Sequence, residues 1–228
     1  MSKLESGRTI FTVTSIRGMY IAGVSEAVMY QNFSFSYHII LLLAWLAYVL
    51  LHSLLATNTI KLKMQQMMGR NYKYYRLCYS IFAALSLAAI LIYQFNQASP
   101  LLFANFLGLN IFGTLLSLLG LVGMAICIRK YFLNLSGVDV LMKEKREPVL
   151  EIAGLHRFVR HPLYSSTLMF CWALFLLFPF ADNLVACVVI SVYTLFGIRL
   201  EERKLVEEFG ENYTRYSRST PMLIPGLF

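Results

Sequence analysis

Two apolar segments joined by a sharp break limit what this chain can become. The first rises from Arg160-His161-Pro162-Leu163-Tyr164 to Phe178-Pro179-Phe180-Ala181-Asp182. The second descends from Asn183 to Ile198 and meets Arg199-Leu200-Glu201-Glu202-Arg203. At the α-helical rise of about 1.5 Å per residue, the arms are roughly 25 and 27 Å long. Arms of near-equal length return the chain to its starting level, so Arg160, His161 and Tyr164 are expected beside Arg199, Glu201 and Glu202. Ionisable groups at the mouth of a membrane hairpin are costly unless they pair with one another or with a ligand. The pattern predicts a ligand site at that mouth.

The rest of the chain supplies more apolar runs. Of 228 residues, 58% are hydrophobic and 14% charged, whereas soluble domains carry about a quarter charged residues. The runs predict an all-α, polytopic membrane bundle of about five transmembrane helices. Spans are expected over 35–56, 73–95 and 107–128 and along the two hairpin arms, with an amphipathic stretch over 58–69. Residues 1–34 contain Arg17 and Glu26 and are expected to form a tail or an interfacial helix. Residues 35–147 then hold the first three membrane helices and their loops, and 148–228 hold the hairpin and a polar tail. Gly108, Gly113, Gly120 and Gly123 in the third span suggest close helix approach. The opening Met1-Ser2-Lys3-Leu4-Glu5 precedes no compact apolar stretch with a small-residue cleavage site, so no secretory signal is expected.

The net charge of +8 has a topological origin. Lys61, Lys63, Arg70, Lys73 and Arg76 fall between spans one and two. Arg129, Lys130, Lys143, Lys145, Arg146, Arg157 and Arg160 fall in the connector over 129–160. Arg199, Arg203, Lys204, Arg215 and Arg218 close the chain. These are 17 of the 20 basic residues, and the loops near Ser99 and Ala181 hold none. Five spans with the C-terminus in the cytoplasm put all of them on one side, as the positive-inside rule requires. The expected location is a bacterial inner membrane rather than the endoplasmic reticulum. Nucleic acid is not an expected partner; membrane lipid is. Cys78, Cys127, Cys171 and Cys187 lie within expected helices, without a CxxC pair or a histidine at ligand spacing. Neither a metal site nor a disulfide framework is expected.

Pro162 suits the first turn of a helix, where its missing N–H costs nothing. Arg160 and His161 then stand just outside the helix start and Tyr164 within its first turn. Free N–H groups and the positive helix end there suit a carboxylate, although Arg160 and His161 taken alone also suit interface anchors. Glu201 and Glu202 are expected at the end of the descending helix, where the macrodipole disfavours carboxylates. Arg199, Arg203 and Lys204 can compensate as surface pairs; a cationic ligand is the alternative. Adjacent helical positions diverge by about 100°, so one glutamate at most points into the bundle.

Arg160-His161-Pro162-Leu163-Tyr164, then Glu201-Glu202, then Phe209-Gly210-Glu211-Asn212-Tyr213 and Tyr216, resemble the C-terminal signature of the isoprenylcysteine carboxyl methyltransferase and phospholipid methyltransferase superfamily. Gly154-Leu155-His156-Arg157-Phe158-Val159 is similar to the family's lead-in, with His156 where a tyrosine is common. Leu51-His52-Ser53-Leu54-Leu55-Ala56 and Tyr75-Arg76-Leu77-Cys78-Tyr79 look like the branch grouped with NnrU and the bacterial methanethiol S-methyltransferases.

This resemblance implies S-adenosylmethionine as cofactor. It implies that Arg160, His161, Pro162, Tyr164 and Leu155 surround it and that Glu201 or Glu202 takes its amino group. The chemistry agrees: the cofactor is cationic at amine and sulfonium, anionic at its carboxylate and apolar at adenine. Aromatic faces such as Tyr164 or Trp172 suit a cation or adenine. Methyl transfer to a thiol needs a thiolate, and His52, His161 or Arg199 are the candidates to assist, Arg199 only by stabilising the anion. His52 and Arg199 are thus the catalytic candidates, while His52 also suits ordinary helix packing.

The favoured reading is a membrane methyltransferase acting on a small or lipophilic acceptor, a thiol first. An isoprenylated cysteine carboxylate or a lipid amine is the alternative acceptor. An NADPH-dependent sterol-type reductase and a non-catalytic NnrU-like membrane protein are the other classes. Glu202→Gln and His161→Ala are each expected to weaken cofactor binding more than they reduce folded yield; equal loss of both in a detergent-solubilised preparation would mark a purely structural role.

Overall fold

The computed structural model describes residues 34–136 and 149–227. In chain order the α-helices are α1 (Phe35–Ala56), α2 (Asn58–Met68), α3 (Tyr75–Phe95), α4 (Leu107–Ser136), α5 (Pro162–Leu177), α6 (Ala181–Phe209) and α7 (Glu211–Ser219). Short 3₁₀ turns at Gly69–Tyr74 and Gly154–Arg157 join or precede them. The expectations for residues 1–34 and for the middle of the connector lie outside the described residues.

Ser34 caps α1, its hydroxyl accepting from the Tyr37 amide at 3.4 Å. Every fourth residue of α1 then faces inward: Tyr37, Leu41, Trp45 and Val49 are buried against Ala186 and Val189 of α6, with Leu87, Ile90 and Leu91 of α3 alongside. This spacing keeps one stripe on one helix face, while Leu43, Leu46 and Leu50 stay exposed as a lipid-facing surface. Thr57 stops α1 with an extended backbone, and its hydroxyl accepts from the Ile60 amide to start α2. No residue of α2 is buried, as suits a helix lying along the membrane surface.

The second contact surface is built from absent side chains. A Cβ on Gly113 would meet the Leu177 side chain at 3.0 Å, and one on Gly120 would meet the Phe170 backbone nitrogen at 2.9 Å. One on Gly123 would collide with the Ser166 hydroxyl. All three partners lie on α5, so these glycines let α4 and α5 close to backbone contact.

A polar network ties the far end together. Asp182, fully buried in the first turn of α6, accepts from the Tyr37 hydroxyl at 3.0 Å and from the Asn183 amide at 2.8 Å. Gln94 donates to Asn183 at 2.8 Å and accepts from the Trp45 indole at 3.2 Å. Its hydrogen bonds link α1, α3 and α6, and the Asp182 carboxyl sits at a helix N-terminus, where it accepts from one of the amides the helix leaves unpaired. The loop after α3 joins by backbone pairing with the hairpin turn, Leu102 N to Pro179 O at 2.8 Å and Ala181 N to Pro100 O at 3.0 Å.

The protein is an all-α integral membrane bundle. Four stretches are long and apolar enough to cross a membrane: Phe35–Ala56, Asn58–Phe95, Leu107–Lys130 and Ala181–Phe209. The fifth expected span, α5, is a shorter apolar helix of 16 residues, about 24 Å at the helical rise, packed against α4 and α6. Two helices outrun their expected ends. α4 continues to Ser136, so Arg129 and Lys130 are helical rather than part of a loop. α6 continues to Phe209, so Glu201 and Glu202 lie two turns inside it and not at its end. No breaker occurs before Gly210, and polarity alone does not unwind a helix. Gly210 then turns the chain at φ 56° and ψ −125°, a conformation that glycine adopts freely.

Gly120→Ala is expected to cost about 1–3 kcal/mol by overpacking, read as a lowered unfolding temperature in detergent. Gly197→Ala, where nothing lies within 4 Å of the added Cβ, should leave that temperature unchanged or raise it.

Candidate functional site

The hairpin mouth is where α5 begins and α6 runs on. His161 occupies the N-cap of α5 with Pro162 as first helical residue, and its ring makes no capping bond. The imidazole is thereby free to turn toward α6. Its Nε2 lies 3.2 Å from Glu202 Oε1, and its Nδ1 lies 3.9 Å from Glu201 Oε2. Arg160 Nε donates to the same Glu202 oxygen at 2.7 Å, and the Tyr213 hydroxyl of α7 donates to it at 3.1 Å. Glu202 is therefore held from three elements.

Arg160 also pins the segment after α7. Its Nη1 donates to the Ser217 and Thr220 carbonyls at 2.8 and 2.5 Å. The Arg160 and His161 amides donate to the carbonyls of Pro221 and Met222 at 2.8 and 3.2 Å, and the Ser165 hydroxyl donates to Leu223 at 2.7 Å. Tyr216 closes the other side, donating to the His156 carbonyl at 2.7 Å.

Glu201 is placed differently. Its side chain is 45% exposed against 24% for Glu202, and it opens into a cavity of about 340 Å³ that Glu202 does not line. Tyr164 stands beside it. Leu205 and Phe209, one and two turns further along the same face of α6, continue the wall. Cys127 of α4, Val149, Leu150, Glu151, His156, Arg160, His161, Pro162, Leu163, Tyr213 and Tyr216 complete it. Lys130 fastens Glu151 to α4 at 2.8 Å. The volume is within the usual range for small-molecule sites.

The electrostatics follow from burial and partners. Burial pushes the Glu202 carboxyl up, but the hydrogen bonds from Arg160 and His161 outweigh it and hold the group below the usual carboxylate range. Burial, then the Glu202 charge, pushes the Tyr213 phenol well up, so it remains a donor. Burial lowers His156 below the ordinary imidazole value, against the opposing hydrogen bond to the Arg160 carbonyl.

The structure thus brings together Arg160, His161, Pro162, Tyr164, Glu201 and Glu202. Leu155 lies in the preceding 3₁₀ turn and does not line the cavity. Arg199 is exposed on another face of α6. His52 belongs to a separate group of aromatic residues on α1, α3 and α6. Leu205, Phe209 and Cys127 were not among the expected site residues, although Phe209 belongs to the C-terminal signature. The four-residue spacing of Glu201, Leu205 and Phe209 was the available signal.

An ionic rim over a largely apolar cavity, set in a helical hairpin, defines a helical membrane protein with a cavity at the hairpin mouth. The chain belongs to the NnrU family, whose model matches residues 40–226. It is similar to a methanethiol S-methyltransferase of Crocosphaera subtropica, 29% identical over 189 residues that make up 78% of this chain and 71% of that one. It is also similar to methanethiol S-methyltransferase 1 of Bradyrhizobium diazoefficiens, 37% identical over 83 residues, 36% of this chain and 28% of that one. A protein-S-isoprenylcysteine O-methyltransferase of Schizosaccharomyces pombe is 34% identical over 89 residues, 38% of this chain and 37% of that one. Several of these matches therefore span only about a third of the relative's length. No solved structure matches.

Glu201→Gln should leave the folded yield and unfolding temperature near wild type. Glu202→Gln removes the charge that Arg160 and His161 face and, contrary to the expectation from sequence, should act on stability, costing about 1–3 kcal/mol, the usual loss for a charged hydrogen bond; equal unfolding temperatures would contradict the division. Acidification should lower stability in two steps. Both groups have folded pKa values below their unfolded ones, so each contribution is lost as pH falls: His156 below about 6.5 and Glu202 below about 4. A thermal-melt series from pH 7.5 to 3.5 reads both.

Proposed function

We propose that the protein is an integral membrane methyltransferase that binds S-adenosylmethionine at the hairpin mouth and passes its methyl group to a small or lipophilic acceptor, a thiol first. The observation that carries this reading is Glu201, a carboxylate left open on a largely apolar cavity while its neighbour Glu202 is tied by three donors. The names of the relatives support methyl transfer, and those of the Crocosphaera and Bradyrhizobium proteins support a thiol.

The residues fit the cofactor's chemistry. Glu201 suits the ammonium group; Arg160 and the first-turn amides of α5 suit the carboxylate; Leu205, Phe209, Tyr213 and Tyr216 offer apolar and aromatic faces to adenine. When bound, the cofactor supplies an electrophilic methyl group on a sulfonium. His161 and Tyr164 hold Glu201 in place at the opening. Glu202 acts as a positioning residue: through Arg160 and Tyr213 it keeps α7 and the segment after it against the cavity. The apolar wall excludes water, which favours a displacement in which cation and anion neutralise each other. In this reading the rim and the C-terminus face the cytoplasm of a bacterial inner membrane, in line with the positive-inside rule.

The fission-yeast relative supports a second acceptor, the carboxylate of an isoprenylated cysteine. Titration calorimetry on the full chain in nanodiscs tests the main reading. Saturable binding of S-adenosylmethionine and S-adenosylhomocysteine, lost in Glu201→Gln, is expected. Binding of NADPH alone would establish the reductase class instead, and no binding of any of the three would leave a non-catalytic role.

A further inference from the structure

A second polar cluster lies away from that rim. His52, one turn before the end of α1, is ringed by Tyr48 at 5.9 Å, Tyr79 at 5.2 Å and Tyr193 at 6.2 Å between ring centroids. The Tyr79 hydroxyl lies 2.9 Å from both imidazole nitrogens and donates to the His52 carbonyl at 3.2 Å. Tyr193 is fixed from its other side, accepting from the Ser53 hydroxyl at 3.4 Å. Among the described residues the imidazole has no other hydrogen-bond partner. One phenol serves two ring nitrogens, and the side chain is only half-buried. Inside a membrane bundle such a group calls for a polar partner.

The structure leaves room for one. A cavity of about 20 Å³ opens beside the ring, lined by Tyr48, His52, Tyr79 and Ser86 and bordered by Leu51 and Phe82. Leu51 and Phe82 are exposed on the lipid-facing surface, so the entrance faces the bilayer. The volume holds a group of roughly water size, enough for the sulfur end of a short thiol but not for an isoprenyl chain. The two cavities share no lining residue; Tyr164, which lines the larger one, stands close enough to Tyr79 and Tyr193 for their charges to interact.

We infer that the His52–Tyr79 pair, framed by Tyr48 and Tyr193, receives the methyl acceptor and takes its proton, and that this acceptor is a short alkyl thiol arriving from the lipid phase. This rests on the reading of the larger cavity as an S-adenosylmethionine site. The thiol S–H bond breaks and its proton passes to the imidazole. The thiolate sulfur bonds to the sulfonium methyl as the old carbon–sulfur bond breaks, leaving a thioether and S-adenosylhomocysteine. The imidazolium then returns its proton to water. The aromatic walls favour the thiol's sulfur and methyl group, and Tyr79 holds the ring through either tautomer.

The test uses the full chain in nanodiscs with three readouts: S-adenosylhomocysteine binding by calorimetry, binding of ¹³C-labelled methanethiol by methyl NMR, and initial rates with methanethiol and hexanethiol. His52→Gln should keep S-adenosylhomocysteine affinity within about twofold and lower kcat by about 100-fold or more, the usual effect of a general base. Tyr79→Phe should keep that affinity too and weaken the saturable methanethiol signal. Phe82→Ala, which widens the entrance, should raise the hexanethiol-to-methanethiol rate ratio. Wild-type protein that binds S-adenosylhomocysteine but neither binds nor methylates methanethiol overturns this inference and leaves the cofactor reading standing. So does a His52→Gln variant with unaltered rates. Failure to bind S-adenosylhomocysteine at all overturns both.

Discussion

One carboxylate oxygen organises the hairpin-mouth end of this protein. Glu202 Oε1 collects hydrogen bonds from Arg160 before α5, His161 at its N-cap and Tyr213 on α7. Arg160 then spends further donors on carbonyls near the C-terminus. Without that anion, a guanidinium and an imidazole would face each other uncompensated at a half-buried site, a costly arrangement. With it, three elements distant in sequence share one joint, and the neighbouring glutamate is aimed into the cavity.

The opposite end is built on the same logic with another acid. Asp182 is buried at a helix start and accepts from Tyr37 of α1 and from the next amide of α6, while Gln94 joins α3 through Asn183 and Trp45. Between the two joints, packing relies on two different surfaces. The α1 stripe of Tyr37, Leu41, Trp45 and Val49 fills space against α6; the α4 glycines remove side chains so that α5 can approach. Lipid does not drive apolar helices together as water does, so close packing and buried hydrogen bonds supply the cohesion.

A site at this rim has consequences for chemistry. In the proposed reading, the charged groups of a cofactor meet charged or polar partners at the rim, and its reacting end faces the tyrosines of α1, α3 and α6. A lipid-soluble acceptor then needs no aqueous route. That division would separate recognition of a charged, water-soluble molecule from capture of an apolar one.

The spans, the break at Phe178–Asp182 and the meeting of Arg160, His161 and Tyr164 with the two glutamates were legible from arm length and hydropathy. Both are local properties: the helical rise is constant, and apolar runs of this length have few other outcomes in a membrane. The ends of α4 and α6 were not legible, because a switch from apolar to charged residues marks the membrane boundary, not the helix boundary, and only Gly210 stops α6. Which glutamate faces the cavity was equally hidden. Glu201 and Glu202 are chemically identical neighbours, and the choice between them depends on where Arg160, His161 and Tyr213 arrive in space. The sequence by itself determined a helical membrane hairpin with an ionic mouth. Only the tertiary structure decided which of its charges are bound to each other and which is left for a ligand, since that follows from the rotation of each helix about its own axis, set by the packing of all the others.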